Sequence, residues 1–246
     1  MPRKPKPANK PIAKTAAKRA GASKKPKHQK RATGQTKDRI DQIFSAFAKA
    51  TPEPKGELEH VNAFTLLVAV VLSAQATDSG VNKATRALFA VADTPQTMLA
   101  LGEEKVRDYV KTIGLFRNKA KNVIALSEKL IAEHGGTVPA DRDALVALPG
   151  VGRKTANVVL NMAFGQKTMA VDTHVFRVSH RLGFSKGKTP EAVEDDLMRL
   201  VPDTFLFHAH HWLILHGRYT CLARKPRCGL CKIAEFCSSS DKSTEN

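Results

Sequence analysis

Cysteine is nearly absent from this 246-residue chain, and none of its four occurs before residue 221. A disulfide framework spread through the body is therefore excluded. A long apolar run is missing too: the longest, residues 63–72, has ten residues with Thr65 among them, against about 20 for a helix that spans a bilayer. No period-2 alternation of β-branched residues is present, which excludes an ordinary half-buried sheet. The first 37 residues hold no acidic side chain and no aromatic one, so that stretch cannot bury enough apolar surface to fold alone. Nothing resembles a secretory signal. The expectation is a soluble, intracellular, all-α protein.

What the first 37 residues do contain is 13 Lys and Arg, from Arg3 to Lys37. Taken from the total of 40 basic residues, they leave 27 against 23 acidic for the remainder. A mildly basic body thus carries an intensely basic, disordered arm suited to phosphate backbones or an anionic surface. A solubilising tail or a transit peptide is the alternative, although a transit peptide favours Arg and Ser where this arm favours Lys.

Beyond the arm, residues 38–50 read as an amphipathic helix with Ile40, Ile43, Phe44 and Phe47 on one stripe. An apolar helix follows at 62–73. Further helices fit 79–91, 95–100, 103–112, 117–134, 141–147, 153–164, 172–182, 189–200 and 204–219, nearly all bounded by Pro, Gly, Asp or Thr at a cap position.

The four cysteines, Cys221, Cys228, Cys231 and Cys237, form a C-x6-C-x2-C-x5-C run. A single site using all four thiolates is the economical reading. Disulfides need an oxidising compartment. Zinc prefers two short clips separated by a longer loop, whereas here one clip has wider gaps on both sides. Four thiolates on a compact run suit an iron–sulfur cubane at least as well, so the spacing favours iron–sulfur over zinc.

Residues 145–160 read Leu-Val-Ala-Leu-Pro-Gly-Val-Gly-Arg-Lys-Thr-Ala-Asn-Val-Val-Leu. A helix ends at Leu148, a tight turn through Gly150 and Gly152 follows, and a second helix starts near Arg153. The glycines allow unusual dihedrals and close approach. The new helix start offers unpaired N–H groups backed by partial positive charge, a ready phosphate site. A lone Gly-x-Gly would be an ordinary corner; followed at once by Arg153 and Lys154 in a basic chain, it reads as a DNA-backbone contact.

Lys154 sits in the first helical turn, where the dipole disfavours a cation and so favours a neutral, nucleophilic amine. A phosphate-contacting lysine is the equal alternative. Asp172, in Ala170-Val171-Asp172-Thr173-His174-Val175, opens another apolar helix. It can act as an N-cap and still keep one oxygen free to stabilise a cation or move a proton.

The hairpin, the Val171-Asp172-Thr173-His174 segment and the cysteine run, in that order, resemble the endonuclease III family of DNA-repair glycosylases. The likeness extends through Leu72-Ser73-Ala74-Gln75-Ala76-Thr77-Asp78, Thr112-Ile113-Gly114-Leu115 and His211-Trp212-Leu213-Ile214-Leu215-His216-Gly217-Arg218, and covers roughly residues 38–240. The resemblance implies two helical domains with a DNA cleft between them. One is a six-helix barrel, residues 56–166, ending in the helix–hairpin–helix. The other combines 37–55 with 167–246 and carries a [4Fe-4S] cluster on the four cysteines. Residues 1–36 form a disordered extension outside both.

The resemblance also implies removal of oxidised pyrimidines and scission at the abasic site through a lysine Schiff base. Lys154 matches the nucleophile and Asp172 the catalytic carboxylate. Gln75 matches the side chain that fills the vacated space in the duplex, with Leu115 as an apolar wedge opposite. Without the resemblance, Leu115 would read as a core leucine. DNA contacts are expected of Gln75, Leu115, Gly150, Gly152, Arg153 and His174, and of Arg224, Lys225 and Arg227 in the loop held by the metal. The implied partner is double-stranded DNA with oxidised pyrimidines or abasic sites, bound by a monomer with no membrane association. The implied location is the bacterial cytoplasm and nucleoid, or the nucleus or mitochondrion of a eukaryote.

His208, His210, His211 and His216 invite a mixed-ligand metal site, but four thiolates already complete one, and they read as helix-face or buried histidines. Trp212 reads as core and Asp78 as a cap or ion-pair partner. Two rivals remain. A monofunctional adenine-mismatch glycosylase shares the hairpin, aspartate and cysteine loop but lacks a lysine matching Lys154 and continues into a further domain. A non-catalytic DNA-binding or redox-sensing module would use Lys154 only to touch phosphate.

One prediction arises directly from the arm. The full chain should lose DNA affinity with salt more steeply than an arm-deleted chain, each extra phosphate contact adding roughly 0.9 to the slope of log K against log salt. Equal slopes for the two proteins would refute it.

Overall fold

Local capping decides where each helix begins in the computed structural model, which describes residues 34–243. The expected arm lies almost wholly outside these residues. Eleven helices and no strand occur among the described residues: α1 (Gly34–Ala50), α2 (Ala63–Leu72), α3 (Asp78–Phe89), α4 (Pro95–Leu101), α5 (Glu103–Val110), α6 (Phe116–His134), α7 (Arg142–Val146), α8 (Arg153–Phe164), α9 (Thr173–Arg181), α10 (Pro190–Leu200) and α11 (Asp203–Tyr219). The all-α expectation holds, and most boundaries fall within two residues of those expected. The exception is α1, which begins at Gly34 rather than 38, because its first turn carries polar residues without an apolar stripe.

Asn62 and Thr65 form a reciprocal capping box at the start of α2, and Thr94 and Thr97 do the same for α4. Single side-chain caps come from Thr77, Asp141, Asp172 and Thr189. Such caps satisfy N–H groups that a helix start leaves unpaired, each worth about 1 kcal/mol. Gly135 and Gly165 end α6 and α8 in the left-handed conformation.

Two apolar cores result. The first is closed by α2–α8, from Phe64 to Leu160, around α2, whose residues 64–72 are all buried. The second gathers Ile40, Ile43, Phe44 and Phe47 of α1 with α9–α11, from Met169 to Ile233. The chain therefore enters one core, builds the other, and returns. Leu66, Val70, Val158 and Ala170 form a small apolar patch between α2, α8 and the α8–α9 connection.

That connection is folded back by side chains of α8. Asn157 Nδ2 donates to Met169 O at 3.1 Å and Thr168 Oγ1 donates to Asn157 O at 2.6 Å. Asn161 Nδ2 donates to Gln166 O and Phe207 O, at 3.0 and 3.1 Å. One turn after Lys154, these bonds anchor the segment that ends at Asp172. They bring the start of α9 beside the start of α8, where 18 residues of sequence separate the two side chains.

Candidate active site and cluster loop

A cleft with about 580 Å³ of open space is lined by residues of both halves, among them Lys154, Asp172, Asp78, His210, His211 and Arg218. Lys154 is exposed and Asp172 half-buried. Asp172 Oδ1 accepts from the N–H groups of His174 and Val175, both at 2.8 Å, so the cap uses one oxygen and the carboxylate's second oxygen remains for chemistry. The cap reading of Asp172 therefore holds, and the cap alone does not occupy both oxygens.

Asp78 was expected only as a cap or ion-pair partner. It lines the same cleft, where burial raises its pKa; Lys154 opposes that shift and the Asp172 carboxylate adds to it. Arg218 Nη1 donates to Asp78 Oδ2 at 2.6 Å and also meets Glu57, which accepts from Tyr219 as well. This acid–arginine network at the rim was not legible in sequence, because Glu57, Asp78 and Arg218 come from three distant segments.

Gly150 has φ +76°, and a Cβ there would lie 2.8 Å from Asn122 Nδ2, so the turn requires glycine. Gly152 is different: a Cβ would meet nothing within 4 Å. It caps α8 without a side-chain hydrogen bond and is exposed, leaving the first N–H groups of α8 open toward solvent. Arg153, expected to contact DNA, is partly exposed and also carries an ion pair. Its Nε and Nη2 donate to Glu194 at 2.9 and 3.0 Å, and Arg142 joins the same carboxylate at 3.4 Å. The Glu194 side chain is only 8 % exposed, and a buried carboxylate demands such partners. The triad ties α7 and α8 to α10.

Gln75 and Leu115 are both non-glycine residues in the left-handed region, with φ of 54° and 57°, a conformation that costs roughly 1–2 kcal/mol. They stand close together, since a Cβ on Gly114 would lie 3.7 Å from Gln75 O. Leu115 is 58 % exposed, which excludes the core reading. His174 is half-buried, and its Nδ1 lies 3.3 Å from Arg177 Nη2.

Arg224, Lys225 and Arg227 are exposed on the loop after α11. This loop is irregular apart from single 3₁₀ turns at Cys228–Leu230 and Ala234–Phe236. Its carbonyls are satisfied by cations of other elements. Arg177 Nη2 donates to Gly217 O and Cys221 O, at 2.7 and 3.1 Å. Arg181 donates to Leu222 O at 2.6 Å and Ala223 O at 3.1 Å. Arg39 of α1 donates to Phe236 O at 2.8 Å.

All four cysteines are free thiols lining one cavity with His216 and Ile233, so the disulfide reading falls. Among the described residues no three His, Cys, Asp or Glu donors converge as a single ion would require. A cubane meets each thiolate at a different iron and needs no such convergence. N–H donors stand ready for thiolate charge: Arg181 Nη1 lies 3.4 Å from Cys221 Sγ and Ser243 N 3.3 Å from Cys228 Sγ. The residues fit a [4Fe-4S] cluster.

His210 and His211 both line the cleft. Burial pushes the His211 imidazole down to about 4, with His208 adding to the shift, and burial holds His210 well below 6.5. The unfolded chain therefore takes up protons that the folded chain refuses. Stability should be complete above pH 6.5 and fall as pH drops from there toward 4, with a slope approaching about 1.4 kcal/mol per pH unit per histidine. Urea midpoints across that window test this; an unchanged slope in His211→Leu would count against it.

All-helical halves around a cleft, a helix–hairpin–helix with an open helix start, and an amine and a carboxylate lining that one cleft define a helix–hairpin–helix protein of DNA base excision. A family model described as "HhH-GPD superfamily base excision DNA repair protein" matches residues 68–203, and one described as "Iron-sulfur binding domain of endonuclease III" matches residues 221–237. The chain is 60 % identical to endonuclease III of Rickettsia conorii over 198 residues, covering 80 % of this chain and 94 % of that protein. It is 56 % identical to endonuclease III of Escherichia coli K12 over 201 residues, covering 82 % and 95 %. Its fold matches a trapped endonuclease III–DNA covalent intermediate with a TM-score of 0.77 at 46 % identity, covering 82 % of this chain and 95 % of that one. The chain belongs to the endonuclease III family, and it is a DNA glycosylase with abasic-site lyase activity.

Proposed function

We propose that the protein acts as a monomer on double-stranded DNA, excises oxidised pyrimidines, and cleaves the resulting abasic site through an imine at Lys154. The observation that carries this reading is one cleft lined by both Lys154 and Asp172, with the cap leaving the aspartate a free oxygen. The target nucleotide leaves the stack to reach them. Lys154 Nζ attacks C1′, the glycosidic bond breaks, and the base departs with the bonding pair and a proton. Opening of the sugar gives an iminium between Nζ and C1′. That electron sink acidifies C2′; loss of its proton expels the 3′ phosphate by β-elimination, and water then returns the amine. Asp172 accepts a proton from the amine and stabilises the positive charge that develops.

Around this centre, the N–H groups after Gly152 hold a phosphate, Gln75 fills the space left in the duplex, and Leu115 wedges between stacked bases. His174 at the start of α9 and Arg153 at the start of α8 contact the DNA backbone. Arg224, Lys225 and Arg227 meet the backbone further along. The cluster, when bound, supplies a rigid anchor for their loop. Residues 56–166 form one domain, residues 37–55 with 167–246 the other, and residues 1–36 add nonspecific affinity. With bacterial relatives, the site of action is the nucleoid.

Duplexes carrying thymine glycol, dihydrouracil, or adenine opposite 8-oxoguanine separate this reading from the mismatch alternative. Base release and strand scission are expected for the first two. Release of the adenine alone, without scission, would overturn the assignment.

A further inference from the structure

Most polar groups around the cleft are committed. Ser73 Oγ donates to Val70 O at 2.8 Å. Asp78 and Arg218 hold each other, and Lys154 and Asp172 serve the reaction. His210 and His211 are the exceptions: Nδ1 of each is buried without a partner. His210 is 2 % exposed and its ring is fixed by the backbone of Ala170. It braces His211, their ring centroids lying 4.9 Å apart at 60°. His211 keeps partial exposure.

Nε2 of His211 lies at the cleft wall beside Gly56 and Met162. A Cβ on Gly56 would sit 3.7 Å from that nitrogen and 2.7 Å from Met162 Cε. Gly56 and Met162 both line the cleft. A side chain at Gly56 would displace Met162 and pack against the imidazole edge, so glycine keeps this part of the cleft wall clear.

We propose that His211 is the specificity-determining side chain of the cleft, donating from Nε2 to a carbonyl oxygen of the everted base. This rests on the glycosylase reading above and names how that cleft selects its base. A neutral imidazole carries one N–H and one lone pair. A buried N–H without a partner is costlier than a buried lone pair, so the proton belongs on Nε2 and the orphaned Nδ1 is the acceptor. The group offered to the cleft is a donor. Pyrimidines of the thymine and uracil type keep their ring carbonyls when the 5,6 double bond is oxidised or reduced, whereas adenine has none.

The surrounding wall suits the same ligand. Val70, Val158, Met162, Ile214 and Leu215 are aliphatic, and among the described residues no Phe, Tyr or Trp lines the cleft. A flat stacking platform is missing there. A puckered, saturated ring packs against aliphatic side chains without loss, so one directional donor on an apolar wall selects by carbonyl rather than by stacking.

The test compares native protein with His211→Leu and His211→Gln in single-turnover assays. Each acts on duplexes with thymine glycol or dihydrouracil, and on a preformed abasic site, where no base occupies the cleft. Thermal melting by circular dichroism checks that the variants fold. His211→Leu is expected to slow base excision about 100-fold, while abasic-site cleavage and borohydride trapping stay within about threefold of native. His211→Gln, which restores an N–H donor, should recover part of the loss. A parallel fall in excision and abasic-site cleavage would mean a structural role and overturn the proposal, as would unchanged excision in His211→Leu. Absence of trapping and scission by the native protein would instead overturn the glycosylase reading, and this inference with it.

Discussion

Lys154→Gln should abolish the borohydride-trapped protein–DNA adduct and slow scission of an abasic site by at least about 10⁴-fold, the scale seen when a covalent nucleophile is removed. Glutamine keeps the length of the stem and its apolar contacts but cannot form an imine. The position is exposed and begins a helix whose first N–H groups are open, so folding and phosphate binding should survive. DNA affinity measured beside trapping makes the distinction: tight binding without an adduct is the expected pair. An adduct that persists in Lys154→Gln would place the imine on another amine. Asp172→Asn is the companion variant. Asparagine caps a helix as well as aspartate does, so the bonds to His174 and Val175 can be retained while the charge is lost. Trapping should then slow by about 10²–10³-fold with little change in melting temperature, the range for one general base or charge stabiliser. Asp172→Ala, by contrast, loses both the charge and the cap.

The helices were legible because their caps are local. Thr77, Thr94, Asp141 and Thr189 announce their helices within three residues of chain, and each accepts a capping hydrogen bond. Lys154, Asp172 and the four cysteines were legible for a related reason, since each belongs to a short motif with its own chemistry. What sequence could not give was commitment between distant segments. Arg153 follows the hairpin glycines and looks free for phosphate, yet Glu194, 41 residues on, also pairs with its guanidinium. Asp78 reads as a cap or ion-pair partner; Thr77 takes the cap and Asp78 pairs with Arg218, a partner 140 residues away that sequence could not name. Leu115 carries the opposite lesson: its side chain is exposed on a left-handed backbone, and no local pattern encodes that. The four histidines of α11 were set aside as packing groups, which fits their depressed pKa values at His210, His211 and His216. Two of them, His210 and His211, also line the cleft, with His211 Nε2 beside Gly56 and Met162.

Phe44→Ala should cost about 3–5 kcal/mol, the range for deleting a buried phenyl ring. Phe44 is fully buried. Its ring stacks on Phe184 and Phe205, with centroids at 5.8 and 5.9 Å, meets Phe47 edge-on at 6.0 Å, and lies 6.4 Å from Trp212. No neighbour is small and flexible enough to fill the void, so the cavity term adds to the lost transfer energy. Trp212 itself is pinned, because its Nε1 donates to Thr51 O at 2.8 Å just past the end of α1. For a chain of this size the loss corresponds to a fall of roughly 10 °C in melting temperature. Its distribution tells more than its size. Phe44 arrives from the helix before the first core begins, but every ring it touches belongs to the second. Amide exchange should therefore quicken in α1 and α9–α11 and along the cysteine loop that Arg39 holds from α1, while α2–α6 keep most of their protection. Leu67→Ala, in the first core, should show the reverse pattern. The two cores are joined mainly by polar contacts, the Arg142 and Arg153 pairs with Glu194, Arg218 with Asp78 and Asn161 with Phe207 O, and by one small apolar patch around Val158 and Ala170, so each core is expected to lose protection separately. Uniform loss of protection in either variant would mean that the two form one cooperative block, and that the cleft opens only when the whole molecule unfolds.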